Sequence, residues 1–223
     1  MNLWVALETS TRAASIALHG ENGNLYRQLE AERAHAVDLL PLLKELLAEA
    51  EYAACDIEGI VVGTGPGSYT GLRVGIATAL GLARASNAAL VALPSMEALA
   101  WGELAQDEEG TLVADAHAGA LYLARYMRTG NGLQTLEQPG VAPPQELLTS
   151  VDWERGQIFA DAKSVQLLGL EETSEERLRV DVKPRADALL DLGMRRFEES
   201  GPSAPDDIQP LYLRPFASKP RKR

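Results

Sequence analysis

Apolar residues crowd three early stretches, Leu3 to Thr9, Ala14 to His19 and Leu25 to Glu30, and the turn-forming run Gly20-Glu21-Asn22-Gly23-Asn24 separates the last two. Short apolar runs bounded by glycine and polar residues read as strands, so the chain opens on an antiparallel meander. The period then changes. Val37, Leu40, Leu43, Leu47 and Ala50 recur three or four positions apart, which predicts an amphipathic helix over residues 36–51. Asp38 suits the positive end of that helix, and Pro41 is tolerated because it falls in the first turn. Ile57 to Val62 reads as a fourth strand, and the small residues from Thr70 to Arg84 as a second helix. Ala89 to Leu93 is a fifth strand, after which Ser95 is placed to N-cap a helix from Met96 to Ala105.

The resulting order, β-β-β-α-β-α-β-α, specifies a mixed sheet with an antiparallel hairpin edge and parallel crossovers, the arrangement of ribonuclease-H-like and actin-like lobes. Asp107-Glu108-Glu109-Gly110 marks a boundary, giving a first lobe over residues 1–106. Beyond it the pattern is weaker. Thr111 to Asp115 and Leu121 to Met127 predict strands, followed by a turn at Thr129-Gly130-Asn131-Gly132. Pro143-Pro144 opens a short helix, Gln157 to Asp161 is a strand, and Glu171 to Arg177 is a polar loop. Ala186 to Glu199 is helical, with Leu189, Leu190, Gly193 and Phe197 on one face. No short-period repeat is visible. The expected organisation is a second, degenerate lobe over 107–215, its C-terminal segment packing back on the first, and a disordered basic tail over 216–223.

Charge narrows the possible partners. The formal net charge is −11, and four of the 21 basic residues lie in Lys219-Pro220-Arg221-Lys222-Arg223, so 17 face the 32 acidic residues elsewhere. An acidic body argues against a broad nucleic-acid footprint, which depends on lysine and arginine neutralising phosphates. With Cys55 as the single cysteine, neither an intrachain disulfide nor a cysteine-built zinc site can form. No apolar run is long enough to span a bilayer, and the first residues carry no secretory pattern, so a reducing cytoplasm is the expected setting. His19, His35 and His117 lack the close spacing of helix-borne metal ligands.

The most specific stretch is Gly63-Thr64-Gly65-Pro66-Gly67-Ser68-Tyr69-Thr70-Gly71-Leu72-Arg73-Val74-Gly75. Strand, glycine-rich turn and helix start in that order leave backbone N–H groups directed at whatever precedes the helix. The stretch is not a P-loop, since it lacks the Gly-Lys-Ser/Thr ending. Arg73 in the first helical turn opposes the dipole and calls for an anionic partner, either a ligand or a carboxylate of its own fold. Gly71, Gly75, Ala79 and Ala83, at spacing four, form a stripe with little side-chain volume, suited to close approach by another helix. That helix is either a partner's or the chain's own at 36–51. Glu8-Thr9-Ser10-Thr11 closes the first strand with a carboxylate and hydroxyls. Many actin-like ATPases place metal and phosphate ligands there; the alternative is a turn whose hydroxyls bond local backbone. Asp115-Ala116-His117-Ala118-Gly119 reads as a tight turn between strands.

These residues carry a resemblance. Leu7-Glu8-Thr9-Ser10-Thr11 with Ala14-Ser15-Ile16-Ala17-Leu18 resembles the opening of the TsaB (YeaZ) family, and the Gly65 to Gly75 stretch is similar to that family's most specific signature. His35 with Leu39-Leu40-Pro41, the run Pro94 to Ala100, Asp115 to Tyr122, and Pro210-Leu211-Tyr212-Leu213-Arg214 resemble further family segments. Glu8 stands where the family usually has Asp, and His117 where it usually has Arg. The resemblance implies a two-lobed α/β fold of the actin-like (ASKHA) class, with mixed sheets flanked by helices. It implies a non-catalytic scaffold subunit of tRNA threonylcarbamoyladenosine synthesis that pairs with a TsaD-like transferase and recruits a TsaE-like ATPase. A homodimer is expected when the chain is alone, with tRNA contacted only indirectly and no cofactor or metal. The expected partner interface is Gly67, Ser68, Tyr69, Thr70, Gly71, Arg73, Gly75, Ala79 and Ala83, and Glu8, Thr9 and Ser10 would be a vestigial nucleotide site. The competing expectation is an ATP-dependent kinase-like enzyme of the same fold, using Glu8, Thr9 and the loop at 65–71.

Overall fold

The computed structural model describes residues 3–29, 38–171 and 176–214. His35, the first residues of the helix expected from 36, and the basic tail lie outside them. The first sheet takes β1 (Leu3–Glu8), β2 (Ser15–Gly20), β3 (Gly23–Gln28), β4 (Ile57–Gly63) and β5 (Ala89–Leu93) in the order β3-β2-β1-β4-β5. β2 runs antiparallel to β1 and β3, whereas β4 and β5 are parallel to β1. Helices α1 (Leu39–Glu49) and α2 (Tyr69–Ser86) supply the connections from β3 to β4 and from β4 to β5.

Alternation along β1 sets the layers. Leu3, Val5 and Leu7 enter one core with Leu39, Leu43 and Leu46 of α1 and Ile76 and Ala79 of α2. Trp4 and Ala6 enter the opposite core with Leu189, Leu190 and Leu192 of α6 (Ala186–Ser200). Because both faces are covered, β1 is buried at every position, which is why it reads as a continuous apolar run rather than an alternating one.

The second sheet takes β6 (Glu109–Asp115), β7 (Leu121–Thr129), β8 (Gly132–Ala142), β9 (Gln157–Ala160) and β10 (Leu178–Val180) in the order β10-β9-β6-β7-β8. Read from β8, this is the first sheet again: the first strand central, the next two antiparallel beside it, the last two parallel on its other side. The architecture is therefore α/β with two mixed sheets of one topology, each flanked by helices, although no repeat is legible in the sequence. Short helices α4 (Pro144–Ser150) and α5 (Ala162–Leu168) cover one face of the second sheet. The other face meets α3 (Ser95–Glu103). Met96, Leu99 and Ala100 of α3 pack on Leu112, Ala124, Tyr126 and Phe159, while Ala98 and Trp101 belong to the first sheet's core. Six of the nine residues of α3 are buried because the helix lies between the two sheets.

Three elements escape the sequence pattern: β8, α5 and β10. One cap also differs. Ser95 is the first helical residue of α3 rather than its N-cap, which is Pro94.

Candidate functional site

Strand β1 ends under the glycine-rich loop, and the two close on each other. Glu8 is 1% exposed, and its Oε1 accepts the Ser10 N–H at 2.7 Å. Oε2 has no well-formed hydrogen bond. Opposite it stands Gly63, where a Cβ would lie 2.2 Å from Oε2 and 2.8 Å from the Ser95 hydroxyl oxygen, so only glycine fits. Burial pushes the Glu8 carboxyl above its ordinary 4.5, outweighing the hydrogen bonds with Ser10 and a weaker contact with Ser95. Glu8 is thus a buried acid biased towards its neutral form. Thr9 and Ser10 are also enclosed, and among the described residues their hydroxyl oxygens make no well-formed hydrogen bond.

Four of the N–H groups in this stretch, those of Thr64, Gly65, Ser68 and Gly71, are spent on the chain itself. Thr64 N–H donates to Leu93 O at 2.8 Å, and Gly65 N–H donates to the Ser95 hydroxyl at 3.1 Å. Ser68 N–H donates to Ser10 O at 2.7 Å, and the Ser68 side chain caps α2 by accepting from Gly71 N–H at 3.1 Å.

The small-residue stripe of α2 has an internal explanation as well. A Cβ on Gly71 would lie 2.2 Å from the Thr9 carbonyl oxygen, and one on Gly75 would lie 2.2 Å from Thr9 Oγ1. Ala79 is fully buried in the first core and Ala83 packs against it. What approaches Gly71 and Gly75 closely is therefore the end of β1, and neither a partner helix nor α1 is needed to explain their size. The side of α2 open to solvent carries Thr70, Arg73, Ala77 and Gly81.

Among the described residues Arg73 meets no carboxylate. Its Nε donates to Tyr212 Oη at 2.8 Å, and its guanidinium carbon lies 3.9 Å from the Tyr69 ring centroid. Tyr69 and Tyr212 stack at 5.2 Å. This cluster pins the C-terminal segment, whose Leu211 N–H donates to Thr64 O at 2.8 Å. Three residues on, Arg214 donates to the Ala116 and His117 carbonyls, so one short segment is bonded to both sheets. The sequence signal for this strap was Pro210-Leu211-Tyr212-Leu213-Arg214; its partners were not legible.

Ala116 and His117 belong to the β6–β7 turn, the counterpart of the β1–β2 turn in the first sheet. Asp115 occupies the place of Glu8, at the end of the central strand. Its Oδ2 accepts from Lys163 Nζ at 2.7 Å and lies 3.0 Å from His117 Nδ1, while its own N–H donates to Asp161 at 2.6 Å. Burial works to raise the Asp115 carboxyl, but the Lys163 hydrogen bond and the contacts with His117 hold it below its ordinary value. The turn is tight, as expected, with His117 at φ 61° and its side chain almost fully exposed. Each sheet thus directs a carboxylic acid to the end of its central strand. Burial disfavours the charge of one, and an ammonium group meets the charge of the other. Among the described residues no cluster of histidine, cysteine and carboxylate side chains suits a metal ion, and no helix is long and apolar enough to cross a membrane.

Comparison with known proteins places this arrangement. Residues 28–168 match the family model described as TsaD: tRNA N6-adenosine threonylcarbamoyltransferase. The chain is 28% identical over 217 residues to the tRNA threonylcarbamoyladenosine biosynthesis protein TsaB of Escherichia coli, covering 94% of each chain. It is 34% identical over 150 residues to the Bacillus subtilis protein of the same name, covering 67% of this chain and 63% of that one. The solved structure of YeaZ from Pseudomonas aeruginosa superimposes with a TM-score of 0.81 at 27% identity, covering 96% of this chain and all of the other.

Proposed function

The chain belongs to the TsaD family of tRNA N6-adenosine threonylcarbamoyltransferases, on its TsaB (YeaZ) side, and from that premise we propose that it is a non-catalytic subunit of tRNA threonylcarbamoyladenosine synthesis. Its relatives named TsaB are biosynthesis proteins of this modification, and the chain takes part in the same process. In this reading it pairs with a TsaD-like transferase, helps recruit a TsaE-like ATPase, and self-associates when no partner is present.

One observation carries the non-catalytic part. An actin-like ATPase needs the acids at its two strand ends free to hold a metal and to face phosphate. Here Glu8 is sealed beneath Gly63 and biased to the neutral form, and Asp115 is committed to Lys163 and His117. In the loop that would cradle phosphate, the Ser68 and Gly65 N–H groups are already bonded to Ser10 and Ser95. The vestigial nucleotide site at Glu8, Thr9 and Ser10 is in this reading a structural joint. The partner face is the open side of α2: Ser68, Tyr69, Thr70 and Arg73, continued by Ala77 and Gly81. Gly71, Gly75 and Ala79 support it from beneath.

The test is to purify the chain alone and together with a TsaD-type transferase, then measure mass and tRNA modification. The chain alone modifies no tRNA and the pair does. Robust threonylcarbamoyl transfer by the isolated chain would overturn the proposal.

A further inference from the structure

Two guanidinium groups converge on one indole, in a region the partner reading leaves unused. Trp101 of α3 is buried, and its Nε1–H donates to Asp191 Oδ2 of α6 at 2.6 Å. The Arg128 guanidinium, from β7, stands 4.0 Å from the Trp101 ring centroid, and its Nη1 donates to the carbonyls of Trp101 at 2.7 Å and Leu104 at 3.0 Å. Arg195, from α6, lies 5.1 Å from the same ring. A cavity of about 450 Å³ opens here, with Gln106 and Gly130 on its wall.

Among the described arginines, these two are distinguished by sharing one ring and one recess. Arg27, Arg125, Arg155, Arg177, Arg185 and Arg196 each meet a carboxylate. Among the described residues, Arg128 and Arg195 form no ion pair: Arg128 donates to carbonyls, and Arg195 has the indole. Asp191, the one carboxylate lining the cavity, is committed to Trp101 Nε1–H. Two guanidinium groups and one carboxylate therefore line a polar recess of net positive charge, with most of the Arg195 donors unspent, in a protein whose net charge of −11 otherwise repels anions.

We propose that this cavity binds a phosphate group. Arg195 and the remaining donors of Arg128 would hold its oxygens, and the Gln106 amide would add a neutral donor. Guanidinium forks match the spacing of phosphate oxygens and bind them through charge-assisted, paired hydrogen bonds. Contact with the indole restrains both side chains before a ligand arrives, so less side-chain freedom is lost on binding. The phosphate is that of a phosphorylated small molecule or of an RNA backbone. The proposal does not rest on pairing with a transferase.

The experiment uses the isolated full chain at constant ionic strength, with chloride as the reference anion. Inorganic phosphate, AMP and a single-stranded uridine decamer are titrated while tryptophan emission and Tm are followed. A saturable change with phosphate and AMP identifies a small-molecule site, and one with the decamer alone identifies an RNA contact; either supports the proposal. Arg195→Gln weakens the response about tenfold or more, as expected from losing one charge-assisted hydrogen-bonded contact, and Arg195→Lys restores it in part. Gln106→Glu, on an exposed residue, weakens it through a charge placed at the cavity wall without touching the packing. A response no larger than that of chloride overturns the proposal, as does one left unchanged by both Arg195→Gln and Gln106→Glu.

Discussion

Replacing Gly75 by alanine adds one methyl group to α2 where β1 leaves no room for it. The new Cβ would lie 2.2 Å from Thr9 Oγ1, 3.1 Å from Thr9 Cγ2 and 3.2 Å from Thr9 Cβ. Thr9 is 4% exposed and cannot swing into solvent. Relief therefore requires moving the helix or the strand end by more than an ångström. The same change at Gly81, two turns on, meets nothing within 4 Å. Both variants gain about 1 kcal/mol of helix propensity. At position 81 that gain stands. At position 75 it is set against about 1–3 kcal/mol for overpacking a closed core, at the upper end because the contact is so short. The two variants should differ by about 2–3 kcal/mol, or roughly 5–10 °C in Tm for a chain of this size. Thr9→Ala removes the two nearest atoms and should recover most of the loss in the Gly75→Ala background, giving a coupling that a double-mutant cycle reads directly. Urea and thermal melts of the four variants and the wild type suffice. Gly75→Ala melting with or above Gly81→Ala, or no rescue by Thr9→Ala, would refute the assignment of the stripe to β1.

Glu8→Gln tests the buried acid. Because burial raises the folded-state pKa above 4.5, the folded chain holds the proton more tightly than the unfolded one, and stability falls as pH rises from 4.5 through the folded value. The variant should be more stable than wild type at pH 7 and lose that advantage below about pH 4; parallel urea-midpoint curves across pH 4–8 would contradict this. Ser95→Ala leaves the Gly65 N–H without its acceptor and should cost about 1–3 kcal/mol by denaturant melt, whereas an unchanged midpoint would mean that the loop bonds elsewhere. Arg214→Ala should speed hydrogen exchange in the β6–β7 turn while leaving α2 protected, and exchange unchanged at Ala116 to Ala120 would show that the strap does not hold that turn.

The first sheet was legible because each of its elements announces itself locally. β1 and β4 are unbroken apolar runs, α1 has helical periodicity, and β5 was expected with the boundaries it has. β8 was not, since Gly132, Gln134, Gln138, Pro139 and Gly140 disguise an edge strand that draws its order from pairing with β7. α5 and β10 are too short for any period to show. At the site, spacing four in α2 was read as close approach by another helix, but spacing cannot say what approaches, and beside Gly71 and Gly75 it is the end of β1. The answer, Thr9, lies more than sixty positions earlier. Arg73 likewise advertised the need for a partner in its own turn, and the partner came as a phenol from the far end of the chain.

Helix α3 contributes to two cores at once, and this fixes how the molecule comes apart. The hinge opening by which a two-lobed nucleotide enzyme admits and releases its ligand would here pull Leu99 and Ala100 away from Leu112, Tyr126 and Phe159 and expose all five together. Such a motion is a partial unfolding rather than a hinge. The two sheets are therefore expected to melt in a single transition. A chain ended after α3 would leave the Met96, Leu99 and Leu104 side of that helix as a bare apolar strip in water, prone to self-association in place of the sheet it had lost.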